Sequence, residues 1–365
     1  MSKNQKPYRK RSIRIWVNKQ EQKFLKDLRN GYIEGSDEHE SLLHEEINRV
    51  GIGYDSIKRY WYKSQQFSIE AIPTHKSISD IRKDIIAEMD EYSPVYPKIT
   101  RKKKSDGHLF VIDIADLHIN KYASAKLTGA EYNSEIAVER AIKGTEALLE
   151  KVKGFDIEKI LFIVGNDVLN TDSIFKTTTS GTPQDTDVHW WEAFLIARRC
   201  YVKCIETCLQ YANVDVIHCP SNHDLMSGCF LADSLQSWFR KNKNVKFDVS
   251  PKYRKYYQYF DNMLEFEHGD KGKMDTVPLI MAQEEPSMWA NTKFRYAYLH
   301  HLHHQIKHQF KSGKDFVGVN VTYLRSPSNA DLWHAEKQFK SQVAVEGFVH
   351  SKHDGRIAHI THYFK

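Results

Sequence analysis

Ile160-Leu161-Phe162-Ile163-Val164-Gly165-Asn166-Asp167 sets five apolar residues directly against a glycine, an amide and a carboxylate. A short apolar run bounded by a turn residue reads as a buried strand. This strand ends on a side chain that can hold a cation. The arrangement recurs on either side. Leu109-Phe110-Val111-Ile112 leads to Asp116-Leu117-His118, and Val214-Asp215-Val216-Ile217 leads to Ser221-Asn222-His223-Asp224. Between these runs lie two helical stretches, Ser134 to Val152 with Asn133 as cap, and Asp187 to Tyr211 with Asp185 or Asp187 as cap. Alternation of strand and helix predicts an α/β architecture. Polar residues at the carboxyl ends of strands stand where open α/β sheets place their sites.

From Val245 onward β-type residues dominate. Tyr256 to Phe260, Met263 to Glu267, Phe316 to Tyr323 and Gln342 to Val349 are the expected strands of a second sheet. Two further patterns fall here, His268-Gly269-Asp270 and His301-Leu302-His303. Asp, Asn and His are ligand types that suit Mn²⁺, Fe or Zn²⁺. Five such patterns in order can be read as one two-metal site, and phosphate-ester hydrolysis wants two ions about 3.5–4 Å apart.

The series resembles the calcineurin-like metallophosphoesterases, whose blocks read D-x-H, G-D-x-x-[DNH], G-N-H-[DE], H and G-H-x-H. The resemblance covers roughly residues 108 to 305. Each block alone is weak in a chain with 19 His, whereas the ordered set is specific. It implies the two-sheet α/β/β/α sandwich of that family. It also implies that Asp116, His118 and His303 hold one metal, that Asn222, His268 and His301 hold the other, and that Asp167 bridges them. A water or hydroxide between the metals would then be the nucleophile. His223 would assist the leaving oxygen, with Asp224 fixing the imidazole tautomer. Mn²⁺ is the expected metal, with Fe, Zn²⁺ or Mg²⁺ as alternatives.

Three positions depart from the pattern. Gly165-Asn166-Asp167 is one residue longer than Gly-Asp, and Asp167 is taken as the bridge because Asn is a poor bridging ligand. Asn170 then falls on the x-x-Asn position. Ser221 and His300 stand where glycine is usual, which bears on loop geometry rather than on the ligands. With His300, His301, His303 and His304 in succession, an adjacent His can substitute for His301 or His303. The polar stretch from Thr177 to Asp187 reads equally as a substrate loop or an ordinary surface loop. Asp172 and His189 are second-tier site candidates.

Composition bounds the class. At 365 residues one large or two smaller domains are expected, and a hydrophobic fraction of 41% supports a core. No apolar run reaches the ~18 residues of a membrane span, and the basic N-terminus lacks the apolar segment of a signal peptide. A cytoplasmic protein with no membrane partner is expected. Five cysteines without a Cys-x-x-Cys pair give no disulfide framework, and Cys200, Cys204 and Cys208 form a packing stripe on one helix face.

Charge is uneven. Residues 1–104 hold 22 Lys and Arg against 15 Asp and Glu, while residues 105–365 hold 31 against 32. The excess of positive charge therefore lies wholly in the N-terminal part and suggests a polyanion partner. Residues 1–92 read as a basic helical domain resembling a helix-turn-helix. Its helices are Val17 to Arg29, Ser36 or Asp37 to Arg49 and Tyr54 to Lys63, with Lys58 and Arg59 facing DNA. A further helix is expected over residues 78–91. Residues 93–107 form a linker with the run Arg101-Lys102-Lys103-Lys104 placed to hold a phosphate backbone, and residues 108–365 form the catalytic domain. The competing role for the N-terminal part is protein contact or homo-oligomerisation.

The expected activity is two-metal phosphodiester hydrolysis, with DNA as substrate and partner. The chain resembles phage- and prophage-encoded metallophosphatases and, more distantly, the Mre11/SbcD type of nuclease. Alternatives are a small-molecule or cyclic-nucleotide phosphodiesterase and, less favoured, a protein phosphatase. The last usually has Arg ahead of the Asn-His pair, where this chain has Cys219-Pro220-Ser221.

Overall fold

Tyr60-Trp61-Tyr62 places three aromatic residues in succession, a composition that favours a pleated strand over a helix. In the computed structural model, Arg14–Trp16 (β1), Tyr60–Lys63 (β2) and Ser68–Ala71 (β3) form a three-stranded sheet. β1 runs parallel to β2, and β3 antiparallel to it. The last four residues of the expected third helix, Tyr54 to Lys63, are therefore strand. The other two helices of that expectation, with Lys58 and Arg59, lie outside the described residues. The structure describes residues 14–16, 60–63, 68–71, 78–91, 96–97, 99–101, 106–301, 313–330 and 342–364. The chain divides into two compact units, Met1–Glu88 and Met89–Lys365. The helix expected over residues 78–91 is present as Ile78–Glu91 (α1).

The larger unit is built on two sheets. His108–Asp113 (β4), Ile157–Gly165 (β5), Asn213–Cys219 (β6) and Val245–Asp248 (β7) run parallel to one another. Lys255–Tyr259 (β8), Asn262–Glu267 (β9), Phe294–Leu299 (β10), Gly313–Phe316 (β11) and Val319–Tyr323 (β12) make the second sheet, in the order β11-β12-β10-β9-β8. Ala344–Ser351 (β13) and Gly355–Tyr363 (β14) return to the first, whose order is β14-β13-β4-β5-β6-β7. The single strand expected over Phe316 to Tyr323 is two strands. Val317 and Gly318 between them have φ of 40° and 82°, and two positive φ values in a two-residue loop match the twist of an antiparallel hairpin.

Side-chain alternation builds the layers. Leu109, Val111, Leu161, Ile163 and Ile217 of the first sheet meet Leu264, Phe266 and Tyr298 of the second in one buried cluster. On the outer face of the first sheet lie Ser134–Lys151 (α2), Trp190–Tyr211 (α3) and Leu225–Trp238 (α4). Phe162 packs its ring edge-on to Tyr201 of α3, 5.9 Å between centroids. Val277–Glu284 (α5) covers the second sheet, with Val277 and Met281 against Met263, Ala297, Leu299 and Val321. The result is the expected α/β/β/α sandwich. No helix among the described residues is long and apolar enough to cross a membrane. Cys200, Cys204 and Cys208 are buried along α3 as a packing stripe.

Helix entry differs from expectation in one place. His189, not Asp185 or Asp187, stands at the start of α3, where its N–H donates to Glu192 Oε2 at 3.2 Å. Asp187 instead accepts from Ser134 N–H (2.7 Å) and Ser134 Oγ (2.8 Å) at the start of α2. Asn133 caps α2 as expected, its Oδ1 accepting from Ile136 N–H at 2.9 Å.

Candidate metal centre

Strand ends from both sheets converge on one place. Asp116 follows β4, Asp167 follows β5, and Asn222 and His223 follow β6; His268 and His301 follow β9 and β10. Parallel pairing of β4, β5 and β6 aligns the carboxyl ends of one sheet, and that of β9 with β10 aligns those of the other. The loops are stitched crosswise. Asp116 N–H donates to Asn166 O (2.8 Å), His118 N–H to Asp167 O (2.9 Å) and Asn166 N–H to Cys219 O (3.0 Å). Beyond the strands the backbone enters the left-handed region at Asp116, His118, Asn166, Asp167 and His301, with φ of 50°, 48°, 54°, 63° and 68°. Each such residue costs on the order of 1–3 kcal/mol and persists only where its surroundings hold it.

Two groups of side chains gather at this edge, each with its ligand atoms within 4.8 Å of one another: His118, Asp167 and His223, and Asp167, His268 and His301. Asp167 belongs to both. His268 Nε2 lies 2.6 Å from Asn222 Oδ1 and 3.2 Å from Asp167 Oδ2. An amide oxygen and a carboxylate oxygen are both acceptors, so their convergence with an imidazole nitrogen is a donor set that suits a divalent cation. Asp116 stands outside both groups; its Oδ1 accepts from His301 N–H at 3.3 Å. His303 lies outside the described residues.

No family model matches the chain, and no curated protein matches it. Solved structures with a similar arrangement include a Vps29 double mutant from Entamoeba histolytica, at 10% identity and a TM-score of 0.27, covering 70% of this chain and 99% of that one. A dimetal phosphatase from Danio rerio is similar at 10% identity and a TM-score of 0.35, with the same coverage of 70% and 99%. The sulfate thiohydrolase SoxB from Thermus thermophilus, in complex with glycerol, is similar at 8% identity and a TM-score of 0.31, covering 73% of this chain and 58% of that one.

Burial and crowding set the charges. Burial pushes the Asp116 carboxyl up to about 6, with Asp167 adding to the effect and His268 opposing it. Burial acts on Asp167 in the same direction, but His268 and His223 outweigh it and hold that carboxyl well below the usual range. Burial would lower His268, but Asp167 and Asp116 overcome it and push the imidazole up to about 9. Asp167 is thus held ionised more firmly than Asp116.

His223 is fixed by backbone. Its N–H donates to Asp167 Oδ1 at 2.9 Å, and its Nδ1 lies 3.0 Å from Asn170 O. A carbonyl only accepts, so Nδ1 carries a proton and Nε2 is the nitrogen left for chemistry. Asp224 does not set this tautomer. Its Oδ1 accepts from Ser221 Oγ (2.5 Å) and its Oδ2 from Leu169 N–H (2.9 Å), so the carboxylate binds two loops together instead. Asn170 takes part through its backbone, since its side-chain amide donates to Asp185 O at 3.3 Å.

The two residues standing in for glycine have bonding roles. Ser221 Oγ accepts from Asp167 N–H at 2.7 Å while donating to Asp224. His300, fully buried, lies with Nδ1 2.8 Å from Glu267 O and Nε2 3.0 Å from Asp113 Oδ2. Asn166 Nδ2 lies 3.3 Å from the same Nε2. Asp113, inside β4, gave no signal in the sequence because one carboxylate in an apolar run resembles a surface position of a strand.

Asp172 has a definite task. Its carboxylate accepts from Met226 N–H, Ser227 N–H (2.7 Å), Ser227 Oγ (2.8 Å) and Thr179 Oγ1 (2.8 Å). Thr179 N–H in turn donates to Asn222 O at 3.2 Å, so the Thr177–Pro183 loop is latched to the turn that carries Asn222 and His223. Asp172→Ala is expected to cost about 1–2 kcal/mol, as the loss of a helix cap does. Urea unfolding measures that loss, and an unchanged midpoint would exclude the latch. His189 is exposed at the helix start and joins neither donor group.

Of the expected phosphate-holding run, Arg101 is described and faces the protein. Its Nη1 donates to Asn213 Oδ1 at 2.7 Å, and its Nη2 donates to Leu209 O. Lys102, Lys103 and Lys104 lie outside the described residues. At the start of β8, Lys255 is buried against Ser250 O and Asp248, and the preceding Arg254 pairs with Glu267 and Glu284. Both cations are therefore engaged within the fold.

Proposed function

We propose that this chain is a metal-dependent phosphodiesterase of the calcineurin-like type whose substrate is DNA. The observation that carries the phosphodiesterase reading is Asp167 standing in two adjacent His/Asp donor groups. Asp116, His118, Asp167, Asn222, His268 and His301, with His303, would hold two divalent cations. These would lower the pKa of a bound water and offset charge on the phosphoryl oxygens. Mn²⁺ heads the choice of ion.

The protein's own groups divide the remaining work. Asp167, ionised and reached by loops from both sheets, orients the donor set. His223 presents Nε2 toward the same space, with Nδ1–H held by the Asn170 carbonyl. In its imidazolium form it donates the Nε2 proton to the departing ester oxygen. Ser221 and Asp224 hold the Asp167 and Leu169 N–H groups, which fixes the loop on which that geometry depends.

Support for DNA is the charge division along the chain, +7 over residues 1–104 against −1 over the rest. The test uses full-length protein loaded with Mn²⁺, offered labelled single- and double-stranded DNA, RNA, a cyclic dinucleotide and bis-p-nitrophenyl phosphate. DNA cleavage is expected, and hydrolysis of the small diesters alone would overturn the choice of substrate. His223→Asn should lower turnover by about 10²–10⁴-fold with metal content unchanged. Unchanged turnover in that variant would remove His223 from the mechanism.

A further inference from the structure

His300 directly follows β10 and directly precedes His301, and its side chain is fully buried. Its backbone N–H donates to His268 O at 3.1 Å. Its Nδ1 lies 2.8 Å from Glu267 O, the carbonyl just ahead of His268, and its Nε2 lies 3.0 Å from Asp113 Oδ2. Asp113 is the last residue of β4 and is buried as well. Among the described residues its Oδ1 has no hydrogen-bond partner, so the hydrogen bonding of that carboxyl runs through His300. Three residues beyond Asp113 stands Asp116, whose Oδ1 accepts from His301 N–H at 3.3 Å. His300 thus ties the strand that leads to His301 to the strands that lead to His268 and to Asp116.

The donors of the second sheet need such a hold. His268 and His301 meet edge to face, 5.0 Å between ring centroids, and His301 has φ of 68°. A non-glycine residue in the left-handed region persists only where its surroundings fix it. Strand pairing sets the spacing of the two residues along their own sheet, through the register of Leu299 with Glu267. It does not set their distance from Asp167, which belongs to the other sheet. The contact of Asp113 with His300 crosses from one sheet to the other, in buried surroundings where a polar contact is strong. The glycine of the family pattern at this position would have no side chain to make it.

We propose that Asp113 and His300 are a positioning pair that seats His268 and His301 against Asp167, so that the ion of this donor group depends on them. The inference rests on the two-metal reading above. Neither residue is itself a donor: both stand outside the two groups, and both nitrogens of His300 face polar atoms of the protein. The other group is held by bonds in which His300 has no part. His118 N–H donates to Asp167 O, His223 N–H to Asp167 Oδ1, and His223 Nδ1 meets Asn170 O. Loss of the pair therefore acts on one ion and spares the other.

The experiment is a Co²⁺ titration of the full-length protein followed by visible absorption, whose bands report on the surroundings of each ion. Wild type is expected to take up two ions. His268→Ala, which removes a donor from one group, identifies the signal of that group. Asp113→Asn keeps the size and shape of the side chain and is the milder variant; His300→Gln is the second. Each is expected to weaken the ion of the His268 group by about 10–100-fold, the scale for residues that orient metal ligands, and to leave the other ion within a few-fold of wild type. The double variant should lose no more than the single ones, because the two side chains make one contact. Denaturant midpoints of the metal-free proteins separate positioning from general loosening. Equal weakening of both ions in step with a fall in midpoint would overturn the proposal, and so would unchanged affinity for both. Either result leaves the two-metal reading standing, whereas a wild type that takes up no Co²⁺ overturns both.

Discussion

Asp167→Asn is expected to abolish metal loading and to reduce phosphodiester hydrolysis by at least about 10³-fold, equivalent to roughly 4 kcal/mol of transition-state stabilisation. The effect should be large because one carboxylate serves both donor groups. Its removal takes away the side chain common to His118 and His223 on one side and His268 and His301 on the other. The substitution keeps size and shape, so the Ser221 bond to the Asp167 backbone N–H is retained. Elemental analysis of the purified variant should find less than one divalent ion per chain, against an expected two in wild type. Two retained equivalents with normal turnover would place the catalytic centre elsewhere. Asn166→Ala is the internal comparison. Its side chain meets His300 rather than either donor group, so metal content should be kept.

Gly165→Ala is expected to destabilise the larger unit by more than about 3 kcal/mol, near the upper end of single-residue effects. Gly165 has φ of +115°, and a Cβ there would lie 2.0 Å from Cys219 O. That carbonyl accepts from Asn166 N–H and ties the end of β5 to β6, so it cannot retreat without breaking the bond. Gly181 separates the two parts of the effect. It has φ of +88°, but a Cβ there would meet nothing within 4 Å, so Gly181→Ala should cost only the ~1–2 kcal/mol of left-handed backbone. Denaturant midpoints for the pair should differ clearly. Equal midpoints would mean that the β5–β6 turn relaxes around the added methyl.

Much of the sandwich was legible because its signals are local. Apolar runs ending in Asp or Asn mark β4, β5 and β6, and each expected stretch falls within a strand of the structure. The choice of Asp167 over Asn166 rested on ligand chemistry. In the structure the Asn166 amide turns to His300 and Asp167 enters both donor groups. What the sequence hid was contact between distant positions. Asp113 and His300 are 187 residues apart, and their pairing has no local pattern. Asp224 follows His223 in the chain, yet the turn sends its carboxylate to Ser221 and Leu169. Tyr60 to Lys63 shows the converse error. The resemblance to a helix-turn-helix outweighed three aromatic residues, and strand pairing with Arg14–Trp16 and Ser68–Ala71 decided the outcome.

Asp116, Asp167 and Asn222 descend from one sheet and His268 and His301 from the other, and the interior between the two sheets is a buried cluster of side chains. The donor set is therefore a gauge of sheet-to-sheet registration. A sliding of one layer across the other by a fraction of a side chain leaves every strand ladder whole and still parts the ligands. A donor set that spans two layers is expected to be lost before the strand ladders are, which metal release followed beside the far-ultraviolet signal during denaturation would check. Repacking of Phe266 or Tyr298, deep in the interlayer contact, should therefore reach the donor set from a distance by changing how the layers seat.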